Sequence, residues 1–151
     1  MDWNQPSDHR LYRPEIRFSD IDAAGIVNNA VFFSYFEQSR IKYFGGLVGR
    51  DWDWHSAGMV VASHRIDYLH PLPFGARVSI HTWLVDVGTK KMVMAYEVIL
   101  EQETEGRLAA RAETTLVCFD HAQGVSIPIP SAWRPAMDRE MRKPSPFATS
   151  R

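Results

Sequence analysis

Apolar and polar residues alternate near the N-terminus, then fall into a helical period, then alternate again to the end of the regular structure. Ile16 and Phe18 alternate with Glu15 and Arg17, which predicts a strand over 10–18, with Pro14 placing it at an edge or a bulge. Asp20, Asp22 and Gly25 break that pattern and make a loop. From Ala30 the residues Val31, Phe32, Tyr35, Phe36, Tyr43 and Phe44 fall mostly on one helical face, with Asn28 or Asn29 as N-cap and Gly45-Gly46 as the end. Long alternating runs follow at 59–69, 76–87, 90–103 and 107–119, parted by turns at 71–75, 88–89, 105–106 and 120–124, with a short edge piece at 125–127. In the first of these runs Val60, Ala62, His64, Ile66 and Tyr68 share one face if no bulge intervenes. Pro128, Pro130 and Pro135 stop the sheet, 131–141 reads as a short surface helix capped by Ser131, and 1–9 and 143–151 read as loose tails.

This order predicts an α+β fold in a single domain spanning 1–151, with no internal repeat and no linker. Short turns force antiparallel pairing, because parallel neighbours need long crossovers. A sheet with one apolar face must bury it, and the Phe- and Tyr-rich helix is the segment able to fill the curl. One helix covers only part of such a sheet, so the long strands are expected to pair across a dimer, and the assembly is expected to be a homodimer or a homotetramer. Trp52 and Trp54, in the connection after the helix, are expected to seal the core or an interface.

Composition narrows the function. A formal net charge of -1 gives no basic field for nucleic acid, and no apolar run is long enough to span a bilayer. The first residues carry no basic and apolar signal pattern, and the single Cys118 has no partner, so the cytoplasm is the expected location. His55, His64, His70 and His81 lack zinc-ligand spacing, and neither a Gly-x-Ser-x-Gly elbow nor a Gly-rich phosphate loop is present. No metal and no cofactor are expected.

The loop before the helix carries the chemistry. A helix N-terminus offers unpaired N–H groups and partial positive charge, which polarise a carbonyl and hold the charge that develops on attack. A carboxylate delivered beside it acts as nucleophile or as base for water, a combination suited to acyl transfer to water. Asp22 is the main candidate; Asp20 fits better as a residue bonding its own turn. Glu37 on the helix is the rival, with an ion pair to Arg40 or Lys42 as its plainer role. Lys90 and Lys91, after the Gly88-Thr89 turn, suit a phosphate or simply solvent.

The run Asp20-Ile21-Asp22-Ala23-Ala24-Gly25-Ile26-Val27-Asn28-Asn29, followed by an aromatic helix with Glu37 and Arg40, resembles the hot-dog-fold thioesterases of the 4-hydroxybenzoyl-CoA thioesterase type. The likeness runs from about Tyr12 to Asp120. Ile26 stands where many relatives carry histidine; the hydroxybenzoyl type has isoleucine there, while Val27-Asn28-Asn29 resembles the fatty-acyl members, so the resemblance leaves the acyl group open. The resemblance implies a hot-dog fold and an acyl-CoA substrate hydrolysed between two subunits. It also implies Asp22 as the catalytic carboxylate and the Asn29 backbone N–H as the donor to the thioester carbonyl. Gly25, Ile26 and Asn28 are the expected substrate-binding loop residues, with Lys90 and Lys91 toward the coenzyme A phosphates. An acyl group on an acyl carrier protein and a non-catalytic acyl-thioester-binding subunit remain the alternatives.

Overall fold

Helix α1, Val31–Val48, runs one turn further than the glycine pair suggests. It passes through Gly45 and Gly46 because Leu47 and Val48 still pack against the core. A Cβ on Gly46 would collide with the His9 side chain, so that glycine serves a close approach and not a stop. The helix ends at Gly49, whose φ of 102° takes the chain out of the helix. The structure is a computed structural model and describes residues 8–102, 104–140 and 143–148. The rest of the expected tails, 1–7 and 149–151, lies outside the described residues.

Six antiparallel strands curl around α1: β1 Leu11–Tyr12, β2 Gly58–Tyr68, β3 Val78–Val87, β4 Lys91–Leu100, β5 Arg107–Asp120 and β6 Val125–Ser126. Their order is β1-β3-β4-β5-β2, with β6 beside β5. This is the hot-dog arrangement, with one difference from a plain meander: β2 crosses to the far edge and pairs β5 instead of β3. The first strand is also much shorter than expected. Only Leu11 and Tyr12 pair, opposite His81 and Ile80, and Pro14, which has no N–H to donate, stands two residues after Tyr12. Phe18–Asp20 then forms one 3-10 turn.

The inner face carries Ile80, Leu84, Met92, Met94, Tyr96, Ala112 and Leu116, all at most 2% exposed. Phe36 of α1 stacks on Tyr96 with ring centres 4.5 Å apart, and Ser39 bonds Thr82 in the buried interface. A bulge between Val61 and Ser63 breaks the alternation of β2. Met59 and Val61 therefore share the inner face with His64, Ile66 and Tyr68, whereas Val60 pairs Val117 on the outer one.

The C-terminal segment differs from its reading as a surface helix and a loose tail. Helix α2, Arg134–Arg139, is short, and Ser131 makes no side-chain cap. Trp133 and Met137 are fully buried, and Trp133 meets Phe44, Trp52 and Trp54 at 5.5–5.8 Å between ring centres. The Trp loop thus seals the core at the end of α1. Residues 143–148 lie across the outer face of the sheet. Trp83 Nε1 donates to the Pro144 carbonyl at 3.3 Å, Arg111 to that of Pro146 at 3.1 Å, and the Arg65 guanidinium sits 3.7 Å over the Phe147 ring.

One carboxylate ties this segment to α1. Glu140, with 7% of its side chain exposed, accepts from His9 at 2.8 Å, Arg10 at 3.0 Å and Tyr43 at 3.1 Å. Burial alone would raise its carboxyl, but the bonds from Arg10 and His9 more than offset that and hold it below a glutamate's ordinary 4.5. The depressed value means that the stabilisation is fully present above the unfolded-state pKa and is lost as pH falls through the folded one. Glu140→Gln is expected to cost about 1–3 kcal/mol at neutral pH. In urea titrations across pH the gap from wild type should close once the medium is more acidic than the folded carboxyl's pKa; a gap constant with pH would assign the loss to packing.

Candidate functional site

The loop between the 3-10 turn and α1 is held by backbone bonds within itself and to a neighbouring connection. Asp22 N–H donates to the Ile26 carbonyl at 2.9 Å and Gly25 N–H to that of Asp22 at 3.0 Å. Gly25 closes this turn with a φ of 79°, a conformation that costs a side-chain-bearing residue energy. Val27 N–H then reaches the Leu72 carbonyl at 2.9 Å, and Ile26 bridges Pro73, so the loop is pinned to the β2–β3 connection. Val27 is 4% exposed, which anchors the loop in the core.

Asp22 is half-buried, and its Oδ1 accepts from Ala24 N–H at 2.8 Å. Its Oδ2 has no hydrogen-bond partner among the described residues. Asp20 is more tightly employed: its Oδ2 accepts from Arg17 N–H at 2.9 Å and from the Tyr35 hydroxyl at 2.8 Å, and its carbonyl accepts from Asn28 N–H at 2.8 Å. Burial, and then the bond to Asp20, pushes the Tyr35 hydroxyl well above its ordinary value, so it stays a donor. Both aspartates therefore bond their own turn; Asp20 is tied by two bonds, one of them to α1, through one oxygen, and Asp22 by the single bond from Ala24.

The N-cap of α1 is Ala30, with no side-chain cap, and not the expected Asn28 or Asn29; Asn28 instead closes a turn just ahead of the helix. Its side-chain oxygen accepts from Ala30 N–H at 2.9 Å, and its carbonyl accepts from Val31 N–H at 3.0 Å. Asn29 is exposed, and its N–H has no acceptor among the described residues. The first turn of α1 holds no acidic side chain to offset the helix's positive end. An open carboxylate oxygen and an unpaired amide at a helix start thus stand at the two ends of one rigid loop.

Tyr68 completes this arrangement and was not singled out as a site residue by pattern. From the end of β2 its hydroxyl donates to the Asn29 carbonyl at 2.7 Å, and its ring packs edge-on against Phe32 with centres 5.0 Å apart. The available signal was its inward place in the alternation of β2. Tyr68→Phe removes the bond that fixes the peptide after the Asn29 amide. If that amide orients the reacting carbonyl, kcat for thioester hydrolysis should fall about tenfold with KM nearly constant, at a stability cost of about 1 kcal/mol. An unchanged kcat would make the bond purely structural.

The other candidates do not converge on this loop within one chain. Lys91 pairs Val117 and Tyr68 pairs Ala110, so the lysines lie seven residues along β5 from the end where Tyr68 meets Asn29, about 23 Å at ~3.3 Å per residue. Both are exposed, and among the described residues neither joins an ion pair; Lys90 Nζ lies 3.4 Å from Ser126 Oγ. Arg134 braces their hairpin through the Gly88 carbonyl at 2.7 Å. Glu37 is exposed and forms no ion pair with Arg40 or Lys42. Arg40 instead donates to the Tyr96 hydroxyl, and Lys42 to the Leu11 carbonyl. Cys118 is buried and its thiol is pushed up to about 11 by that burial, which leaves it unreactive. Among the described residues no group of three or more His, Cys, Asp or Glu is placed to hold a metal ion, and no helix is long and apolar enough to cross a membrane.

The sequence model of the thioesterase-like superfamily matches residues 16–141. The chain is 28% identical over 110 residues to the long-chain acyl-CoA thioesterase FadM of Escherichia coli (strain K12), covering 70% of this chain and 80% of that protein. It is 30% identical over 111 residues to the Bacillus subtilis (strain 168) protein YneP, covering 70% and 76%. A crystal structure of a Thermus thermophilus thioesterase complexed with coenzyme A and Zn is similar at a TM-score of 0.72 and 35% identity, over 84% of this chain and 90% of that one.

Proposed function

The chain belongs to the thioesterase-like superfamily and is a thioester hydrolase, and from that premise we propose that it converts acyl-CoA thioesters to free acid and coenzyme A using Asp22. The observation that carries this reading is the open Asp22 oxygen in the loop that ends on the unpaired Asn29 N–H. The thioester carbonyl oxygen accepts from Asn29 N–H, where the helix end favours developing negative charge. The Asp22 carboxylate then either attacks the carbonyl carbon, expelling the coenzyme A thiolate and leaving a mixed anhydride for water to cleave, or takes the proton of a water that attacks directly. Both routes give the same products and need no cofactor. Gly25, Ile26 and Asn28 shape the loop against the substrate, and isoleucine at position 26 supports a placement with the 4-hydroxybenzoyl-CoA type.

The active unit in this reading is a dimer. β2 is an eleven-residue strand with one open edge, a surface that folded proteins normally cover. Pairing it antiparallel with a second copy places the Met59 end of one β2 beside the Tyr68 end of the other. Lys90 and Lys91 of one subunit then lie at the same end of the joint sheet as Asp22 of its partner, where they can meet the coenzyme A phosphates.

The test is thiol release from short, long and aromatic acyl-CoAs, run beside the same acyl chains on acyl carrier protein. Faster turnover of the carrier-linked series would favour that substrate. Tight acyl-CoA binding with no release from any thioester would favour a binding subunit and overturn the hydrolase.

A further inference from the structure

Beneath the middle of α1, three polar side chains on the inner face of the sheet meet one from the helix, away from the Asp22 loop. His64 Nδ1 and Thr114 Oγ1 are hydrogen-bonded at 2.8 Å, and Arg40 Nη1 lies 3.3 Å from the Tyr96 hydroxyl. Tyr96 and Thr114 are fully buried, and the His64 ring packs on Phe33 with centres 4.7 Å apart. Burial, and then the nearby Arg40 charge, hold the His64 imidazole below its ordinary value, so it is a neutral brace. Arg40 is half-buried and, among the described residues, meets no carboxylate; its one bond goes to a neutral hydroxyl. Glu37, one turn earlier, is exposed and does not pair with it. A guanidinium has five donors and is costly to hold out of water unless an anion meets it.

Two independent rulers place this cation relative to the Asn29 amide. Along α1, Arg40 is eleven residues beyond Asn29, about 16 Å at ~1.5 Å per residue, and a helical side chain leans back toward the N-terminus. Along β2, His64 is four residues from Tyr68, whose hydroxyl holds the Asn29 peptide, about 13 Å away. Four residues of extended backbone contain twelve bonds, and an extended acyl chain of about that many bonds has the same reach. Phe33, 39% exposed, offers an apolar wall between the two points.

We propose that Arg40, braced by Tyr96, Thr114 and His64, is a subsite for a carboxylate at the far end of the acyl chain, so that medium-length dicarboxylic acyl-CoA thioesters are preferred substrates. This rests on the thioesterase reading and adds a substrate class to it. The guanidinium takes the distal carboxylate through charge-assisted hydrogen bonds while the thioester sits at Asn29.

The experiment compares dodecanedioyl-CoA with dodecanoyl-CoA, both as hydrolysable esters and as thioether analogues that cannot react. Wild type should favour the diacid about tenfold or more in kcat/KM and in analogue binding, Arg40→Met should erase that ratio, and Arg40→Lys should restore part of it. Equal affinity for the two analogues in wild type overturns the subsite, as does a ratio that survives Arg40→Met. Dissociation of the Arg40→Met dimer with the ratio intact also overturns it and assigns Arg40 to a contact between subunits. If neither ester releases thiol, the hydrolase reading fails on its own, and the analogue ratio still decides the subsite.

Discussion

Asp22→Asn is expected to lower kcat/KM for acyl-CoA hydrolysis by about 10³-fold or more, since it removes the nucleophile or base of the reaction. The fold should survive. Asparagine keeps the oxygen that accepts from Ala24 N–H and is as well suited as aspartate to that turn. The substitution therefore separates the two roles open to this residue. A purely structural Asp22 tolerates asparagine with no loss of rate, whereas a catalytic one does not, with the melting temperature close to wild type in either case. Glu37→Gln is the matched control on α1, and its rate should stay within a factor of about two, because Glu37 lies eight residues beyond Asn29, roughly 12 Å along the helix. A rate that survives in Asp22→Asn and collapses in Glu37→Gln would move the chemistry to the helix.

The parts of the fold that were legible in the sequence are those where local pattern and tertiary packing agree. The aromatic face of α1 and the alternation of β3, β4 and β5 depend on burial alone, which periodicity reports directly. The misread positions are those where a distant neighbour decides. Gly46 looks like a helix stop until His9 is seen against it. The residues from Pro128 onward look like surface because prolines and charges dominate them, yet Trp133 and Met137 fill the end of the core. Phe147 rests between Arg65 and Arg111, a contact that needs the strands assembled first. The bulge in β2 leaves no mark beyond a run of small and β-branched residues, and it exchanges the faces of Val60 and Val61.

The candidate site divides in the same way. Asp22, Gly25 and Asn28 lie within seven residues of one another, so their turns could be read from residue types, although the helix starts from Ala30 and takes no side-chain cap. The roles of Tyr35 and Tyr68 could not, because each acts through a partner far along the chain: Tyr35 on Asp20, Tyr68 on Asn29. Arg40 was read as half of a surface ion pair, since Glu37 stands three residues before it. The buried Tyr96 hydroxyl draws it to the sheet instead.

Mixing two inactive variants tests whether the lysines and Asp22 serve one site across two subunits. Asp22→Asn lacks the carboxylate; the double variant Lys90→Glu, Lys91→Glu presents acidic side chains where phosphates are to bind and should be nearly inactive at low substrate. In a dimer with composite sites, a mixed pair has one site with both defects and one with neither. When the two variants are unfolded, combined in equal amounts and refolded, half the dimers are mixed and each carries one intact site, so activity should recover to about a quarter of wild type. If the lysines served the Asp22 of their own chain, every site in a mixed dimer would carry one defect and activity would stay near zero. The distance along β5 favours recovery: about 23 Å of sheet separates the lysines from Tyr68, which holds the Asn29 peptide, within one chain, and antiparallel pairing of the open β2 edges exchanges the ends.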